Sequence, residues 1–238
     1  MEISKIIYKL KRNYLYKKLF IPKYPVLVFH HIPKSGGTTV INALKSWHTV
    51  IGDYRHTFDD YNTYLSNRIN INELNRNICL AGHFEFKENS IPVRYPEIYN
   101  QPDKYKIFTI FREPLELAVS LYFYEIKTGN RNAEDQSLDD FLKKVNNYTA
   151  ARLLCNENNY INVIDRYFFI GINEHLQESI DKLAEILKKP KIRLNKINTS
   201  PRDDQYKKLS EKTISIFKNN NELDYLIYNY ALKKFKSL

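Results

Sequence analysis

The stretch His31-Ile-Pro-Lys-Ser-Gly-Gly-Thr-Thr39 gathers residue types that bind phosphate. Paired glycines, Gly36 and Gly37, let a backbone turn tightly and approach a ligand closely. A helix starting there aims free N–H groups and its positive dipole end at that ligand. Lys34 adds a mobile charge, and Thr38 and Thr39 add hydroxyl donors. Pro33, Lys34, Ser35, Gly36, Gly37, Thr38 and Thr39 are therefore read together as a cradle for a phosphate-like anion. The order differs from a Walker loop: the lysine precedes the glycines, and no hydroxyl follows a Gly-Lys pair to hold magnesium.

Other positions suit the same site. Arg112 carries a planar guanidinium that can hold a phosphate through two parallel hydrogen bonds. Ser120 stands about two helical turns further on, where its hydroxyl could share that phosphate. A histidine titrates near neutral pH and is a ready general base, and the chain has six. His83 follows a short apolar run. His30 and His31 flank the cradle and read as packing or orienting groups, while His48, His56 and His175 have no motif around them. Glu85 could orient His83 or serve as an alternative base.

These residues need strands that end where they begin. Apolar runs at Val26–Ile32, Ile78–Ala81, Tyr105–Phe111 and Tyr167–Ile172 read as buried strands. Helical spacing follows at 38–47, 114–124 and 174–188, with Pro114 opening one helix and Pro190 stopping another. Two more helices are expected at 203–218 and 221–236, and residues 52–76 read as polar loop. Strands alternating with helices predict an α/β fold, a P-loop-like three-layer arrangement with a central, mainly parallel sheet flanked by helices. Ligands bind such sheets beyond the carboxyl ends of the strands, and Lys34, His83 and Arg112 each stand at one.

The 238 residues fit one domain, 1–238, with a basic amphipathic helix over 1–24 and a catalytic core over 25–238. Such a chain buries roughly 70–75% of its unfolded surface, so it needs no disulfide or metal for its core. Cys79 and Cys155 form neither a zinc set nor a disulfide framework. The formal net charge of +10 favours anionic partners. No apolar run is long enough to span a bilayer, and no signal peptide precedes the core, so a cytoplasmic protein is expected. Residues 1–20 could also touch a membrane surface.

On these motifs the sequence resembles the sulfotransferases that use 3′-phosphoadenosine 5′-phosphosulfate (PAPS), in the branch with heparan sulfate 2-O-sulfotransferase and many bacterial relatives. The His31–Thr39 stretch is similar to that family's 5′-phosphosulfate loop. Phe111-Arg-Glu-Pro-Leu-Glu-Leu-Ala-Val-Ser-Leu-Tyr122 resembles its 3′-phosphate motif, and Gly82-His83-Phe84 its catalytic-histidine segment. Weaker likenesses recur at Thr149–Leu153, Phe169–Gly171, Asn198-Thr-Ser-Pro-Arg202 and from Asn221 to Ala231. The resemblance implies PAPS as co-substrate, Arg112 and Ser120 on the 3′-phosphate, and Ser200 and Arg202 in a flap over the nucleotide. It implies His83 as general base and Lys34 as the charge that stabilises the leaving oxygen, with no metal. It implies an acceptor hydroxyl, with a saccharide favoured by the basic charge. Some relatives carry a second histidine two residues before the base; Ala81 stands there in this chain.

Two rival readings stand beside it. A P-loop-type nucleotide phosphotransferase would need magnesium and a lysine after the glycines. A nucleic-acid-binding module is suggested by charge alone, and its usual motifs are missing.

Overall fold

The computed structural model describes residues 23–132, 136–194 and 209–238. Five strands form one sheet: β1 (Val26–His30), β2 (Thr49–Asp53), β3 (Ile78–Gly82), β4 (Tyr105–Phe111) and β5 (Phe169–Ile172). Their order is β2-β3-β1-β4-β5, and every pairing is parallel. The mainly parallel sheet expected from sequence is thus wholly parallel among the described residues.

Strands β1, β4 and β5 are almost wholly buried along their length. That is why they read as unbroken apolar runs, since a parallel sheet is covered on both faces. On one face, Leu27, Phe29, Phe108 and Ile110 pack against α1 (Gly37–Leu44) and α9 (Leu176–Leu187). On the other, Val28, Leu80 and Ile107 meet α3 (Ile91–Arg94) and α4 (Pro96–Asn100). Further along that face, Phe111 and Ile170 join a cluster with α7 (Tyr148–Leu153), α8 (Tyr160–Asp165) and α11 (Glu222–Lys236). The α/β three-layer expectation holds.

The remaining described helices are α2 (Tyr61–Ser66), α5 (Pro114–Lys127), α6 (Leu138–Lys144) and α10 (Glu211–Asn220). Several details differ from expectation. Residues 52–76 are not one polar loop: they begin inside β2 and include α2. The first helix ends at Leu44 rather than 47, while α5 continues to Lys127. Helix α10 starts at Glu211, and the stretch 195–208 before it lies outside the described residues. So does most of the proposed helix over 1–24. Among the described residues no helix is long and apolar enough to cross a membrane.

The sheet order creates a switch point. From β1 the chain travels by α1 to β2, on one side of the sheet; from β4 it travels to β5, on the other. Adjacent strands whose connections diverge leave a crevice past their carboxyl ends. Lys34 follows β1 and Arg112 follows β4, so both line that crevice.

Candidate active site

The cradle turns where sequence places it. Ser35 N–H donates to the Ile32 carbonyl at 3.3 Å, and Gly36 adopts φ +82 as the helix N-cap. A side chain at Gly36 would also strike Asn173, its Cβ coming within 2.5 Å of Oδ1. The first intrahelical bond of α1 runs from Val40 N–H to the Gly36 carbonyl. The N–H groups of Gly37, Thr38 and Thr39 therefore have no acceptor within the helix, as at any helix start. Ser35 Oγ is buried with no hydrogen-bond partner.

Lys34 adopts φ +66, in the left-handed region that costs an ordinary residue of order 1–3 kcal/mol. The turn presents its carbonyl to Arg112, whose Nη1 donates to it at 3.0 Å. The Lys34 ammonium sits over the Tyr124 ring, 3.8 Å from the centroid. Burial, with Arg112 and Lys127 nearby, pushes its pKa below the ordinary lysine value.

Arg112 also pairs with Glu116 at 3.4 Å, and its buried Nε has no partner. Glu113 is occupied elsewhere: it accepts from Glu116 N–H and from the Tyr225 hydroxyl. Two orphaned buried donors, Ser35 Oγ and Arg112 Nε, thus flank a helix start with free N–H groups. An unpaired buried donor costs about 1–3 kcal/mol, and an oxyanion at each would satisfy it. Ser120 lies half-buried on α5, whose start Arg112 precedes.

His83 follows the last residue of β3. Its Nε2 lies 3.1 Å from His31 Nδ1, and that same Nδ1 lies 3.2 Å from the Tyr54 hydroxyl. The His83 and Tyr54 rings meet edge to face, with centroids 4.8 Å apart. Burial, then the charges of His56 and Arg152, lowers the His83 pKa to about 4. Burial and the neighbouring His83 are the leading causes that lower His31 to about 3. Both imidazoles are neutral at pH 7, and a neutral imidazole is the form that accepts a proton.

The surroundings hold His83 in place. Asn89 donates to the His83 carbonyl at 2.7 Å and accepts from the Tyr64 hydroxyl at 2.6 Å. Arg94 donates to the Tyr64 carbonyl and grips Asp53 with two bonds, at 2.7 and 2.9 Å. Tyr95 donates to Asp53 as well. This buried network fixes the end of β2, from which Tyr54 reaches the site.

Glu85 does not orient His83. It is buried and paired with Arg152 at 3.2 Å. Sequence reasoning missed Arg152, Tyr54 and the Asp53–Arg94 pair, and it read His31 as a packing or orienting group without its contact to His83; only an expectation of β2 would have drawn attention to Asp53. Ser200 and Arg202 lie outside the described residues.

Behind this centre lies a cavity of about 200 Å³ between the sheet and helices α3, α7 and α8. Its walls include Phe84, Tyr99, Tyr167, Arg152 and Arg166, and His30 at the end of β1. His30 Nδ1 meets the Tyr167 hydroxyl at 2.7 Å, while its Nε2 is buried without a partner.

Comparison with known proteins gives a family and a fold. A family model described as the sulfotransferase family matches residues 17–231. No curated protein matches the chain. Among solved structures, mouse sulfotransferase SULT7A1 complexed with PAP is 12% identical, the match covering 88% of this chain and 90% of that one, with a TM-score of 0.52. A sulfotransferase from Alicyclobacillus acidocaldarius, also 12% identical, is matched over 87% of this chain and 97% of its own, with a TM-score of 0.46. At such identity the mouse structure speaks for the fold, and it agrees with the architecture described above.

Proposed function

Because the chain belongs to the sulfotransferase family, we propose that this site moves a sulfuryl group from PAPS to an acceptor hydroxyl. One observation carries the reading: the cradle, Arg112 and His83 stand past three neighbouring strand ends, beside two orphaned buried donors. The mouse structure holds PAP, and a nucleotide of that kind is proposed for this chain. PAPS brings the sulfuryl group already activated; everything else falls to the protein.

Residues Pro33 to Thr39 bind the 5′-phosphosulfate through the free N–H groups of α1 and through hydroxyls. Arg112 and Ser120 take the 3′-phosphate, which distinguishes this nucleotide from ATP. Ser200 and Arg202, outside the described residues, are assigned to the same nucleotide on the family resemblance alone. His83, neutral and held by its neighbours, takes the proton of the acceptor hydroxyl. The acceptor oxygen forms its bond to sulfur as the bond from sulfur to the 5′-phosphate oxygen breaks. The electron pair leaves with the bisphosphate. Lys34 moves from the Tyr124 ring to that oxygen and stabilises its growing charge. Positioning and fixed charges supply most of the rate, as in phosphoryl transfer. The scheme calls on no metal.

For the acceptor we favour a saccharide. The basic surplus supports it, and so does the cavity next to Phe84, whose aromatic walls and two arginines suit a sugar ring bearing a negative group. Calorimetric titration with 3′,5′-adenosine bisphosphate, with ADP and magnesium–ATP as controls, tests the donor half. Micromolar binding of the bisphosphate alone supports it; binding of magnesium–ATP alone overturns it. Transfer of ³⁵S from labelled PAPS to a panel of saccharides, phenols and alcohols tests the acceptor half.

A further inference from the structure

We propose that His31 is a positioning residue that sets the tautomer of His83 and ties it to the loaded cradle, leaving His83 Nδ1 as the atom that takes the acceptor proton. The inference rests on the reading of His83 as general base.

One hydrogen lies between His83 Nε2 and His31 Nδ1, 3.1 Å apart. Each neutral imidazole carries a single N–H, so the place of that hydrogen decides the chemistry of both rings. With the hydrogen on His83 Nε2, His83 Nδ1 is a bare lone pair and can accept a proton. With it on His31 Nδ1, the His83 lone pair is consumed and Nδ1–H faces outward as a donor. His83 Nδ1 has no partner among the described residues, so nothing else in them selects between these states.

The far nitrogen of His31 makes the selection. A Cβ at Gly37 would come within 1.7 Å of His31 Nε2, so this nitrogen lies directly against the first turn of α1. That turn is where the cradle holds its anion. An anion there favours an N–H on Nε2 and disfavours a lone pair. His31 Nδ1 is then an acceptor, His83 Nε2 a donor, and His83 Nδ1 bare. The Tyr54 hydroxyl, 3.2 Å from the same Nδ1, can donate to it in that state and accept from it in the other, so it accommodates either tautomer and leaves the choice to Nε2. Filling the cradle thereby readies the base.

Among the described residues no carboxylate competes for the role. The groups facing His83 are His31, Tyr54, His56 and Arg152. Glu85 is taken by Arg152, and Asp53 by Arg94 and Tyr95. The orienting partner that a catalytic histidine usually finds in an aspartate is here a second histidine, sent from the neighbouring strand.

The experiment is nitrogen-15 NMR of the histidine rings in the full chain, with and without 3′,5′-adenosine bisphosphate, beside turnover of His31→Asn, His31→Leu and His83→Ala. The expected result is His83 as the Nε2–H tautomer in the nucleotide-bound wild type. His31→Leu should lose that preference and drop kcat on the order of 10- to 100-fold, the cost of a misplaced group. His31→Asn, whose Oδ1 can still accept from His83, should recover most of it. An Nδ1–H tautomer in the bound wild type overturns the inference, and that measurement needs no variant to fold. Retained turnover in His83→Ala would instead remove the base reading beneath it, so the two failures are distinguishable.

Discussion

The guanidinium of Arg112, at the end of β4, donates to the main-chain carbonyl of Lys34, in the turn after β1, at 3.0 Å. This bond spans the switch point of the sheet. It compensates the left-handed backbone of Lys34, and it leaves Arg112 Nε buried and unpaired. One side chain therefore braces the cradle and presents an open donor to an anion.

Arg112→Ala should weaken binding of 3′,5′-adenosine bisphosphate by about 10- to 100-fold, the worth of one hydrogen bond to a charged group. Arg112→Lys should recover only part, because an ammonium cannot reproduce the fork. Calorimetry reads both. Equal affinity in the alanine variant would remove Arg112 from the nucleotide site.

Gly37 is constrained by His31 rather than by its own backbone angles. A methyl group there would overlap the imidazole, so Gly37→Ala must displace the ring. We expect kcat to fall by more than about tenfold, as for other small misplacements of catalytic groups. Far-UV circular dichroism should stay unchanged. Wild-type turnover in this variant would show that His31 has room to spare.

Asp53 and Arg94 form a buried ion pair that fixes the end of β2. Removing one partner of such a pair costs roughly 3–5 kcal/mol, because the other charge is left uncompensated. Asp53→Ala should lower the urea midpoint accordingly. A midpoint within error of wild type would mean the network relaxes around the loss.

Four imidazoles give the protein a pH signature. Burial, as the leading cause, lowers His30 and His31 to about 3 and His48 and His83 to about 4. The unfolded chain takes up these protons near pH 6.5, before the folded state does. Their contribution to stability is therefore fully present above pH 6.5 and is lost as pH falls toward 3–4. Each histidine removes up to about 1.4 kcal/mol per pH unit in that window. Denaturant melts at pH 7 and pH 5 should show the loss, and identical midpoints would contradict it. For the same reason kcat/KM should keep a flat profile down to about pH 5.

The core strands were legible because burial on both faces made β1, β3 and β4 continuous apolar runs. Their ends pointed to Lys34, His83 and Arg112, and the structure brings the turns that carry them together. Strand β2 was not legible: its five residues, Thr49–Asp53, include a glycine and alternate little, because it lies at the sheet edge and only Asp53 is buried. The short helices α3, α4, α7 and α8 span four to six residues each, too few for a helical period to register. The His31–His83 contact and the Glu85–Arg152 pair join residues 52 and 67 positions apart. Such pairings are fixed by the sheet order, which no local pattern encodes. For this reason Glu85 read as a candidate partner of His83 rather than of Arg152.

The central claim is that His83 takes the acceptor proton in sulfuryl transfer from PAPS. The most direct measurement compares wild type and His83→Ala for ³⁵S transfer from PAPS under saturating donor, with bisphosphate affinity measured on the same preparations. The account predicts a loss of about 10²–10⁴ in turnover, with nucleotide affinity within about threefold of wild type. Turnover within threefold of wild type would contradict it and send the search for the base elsewhere.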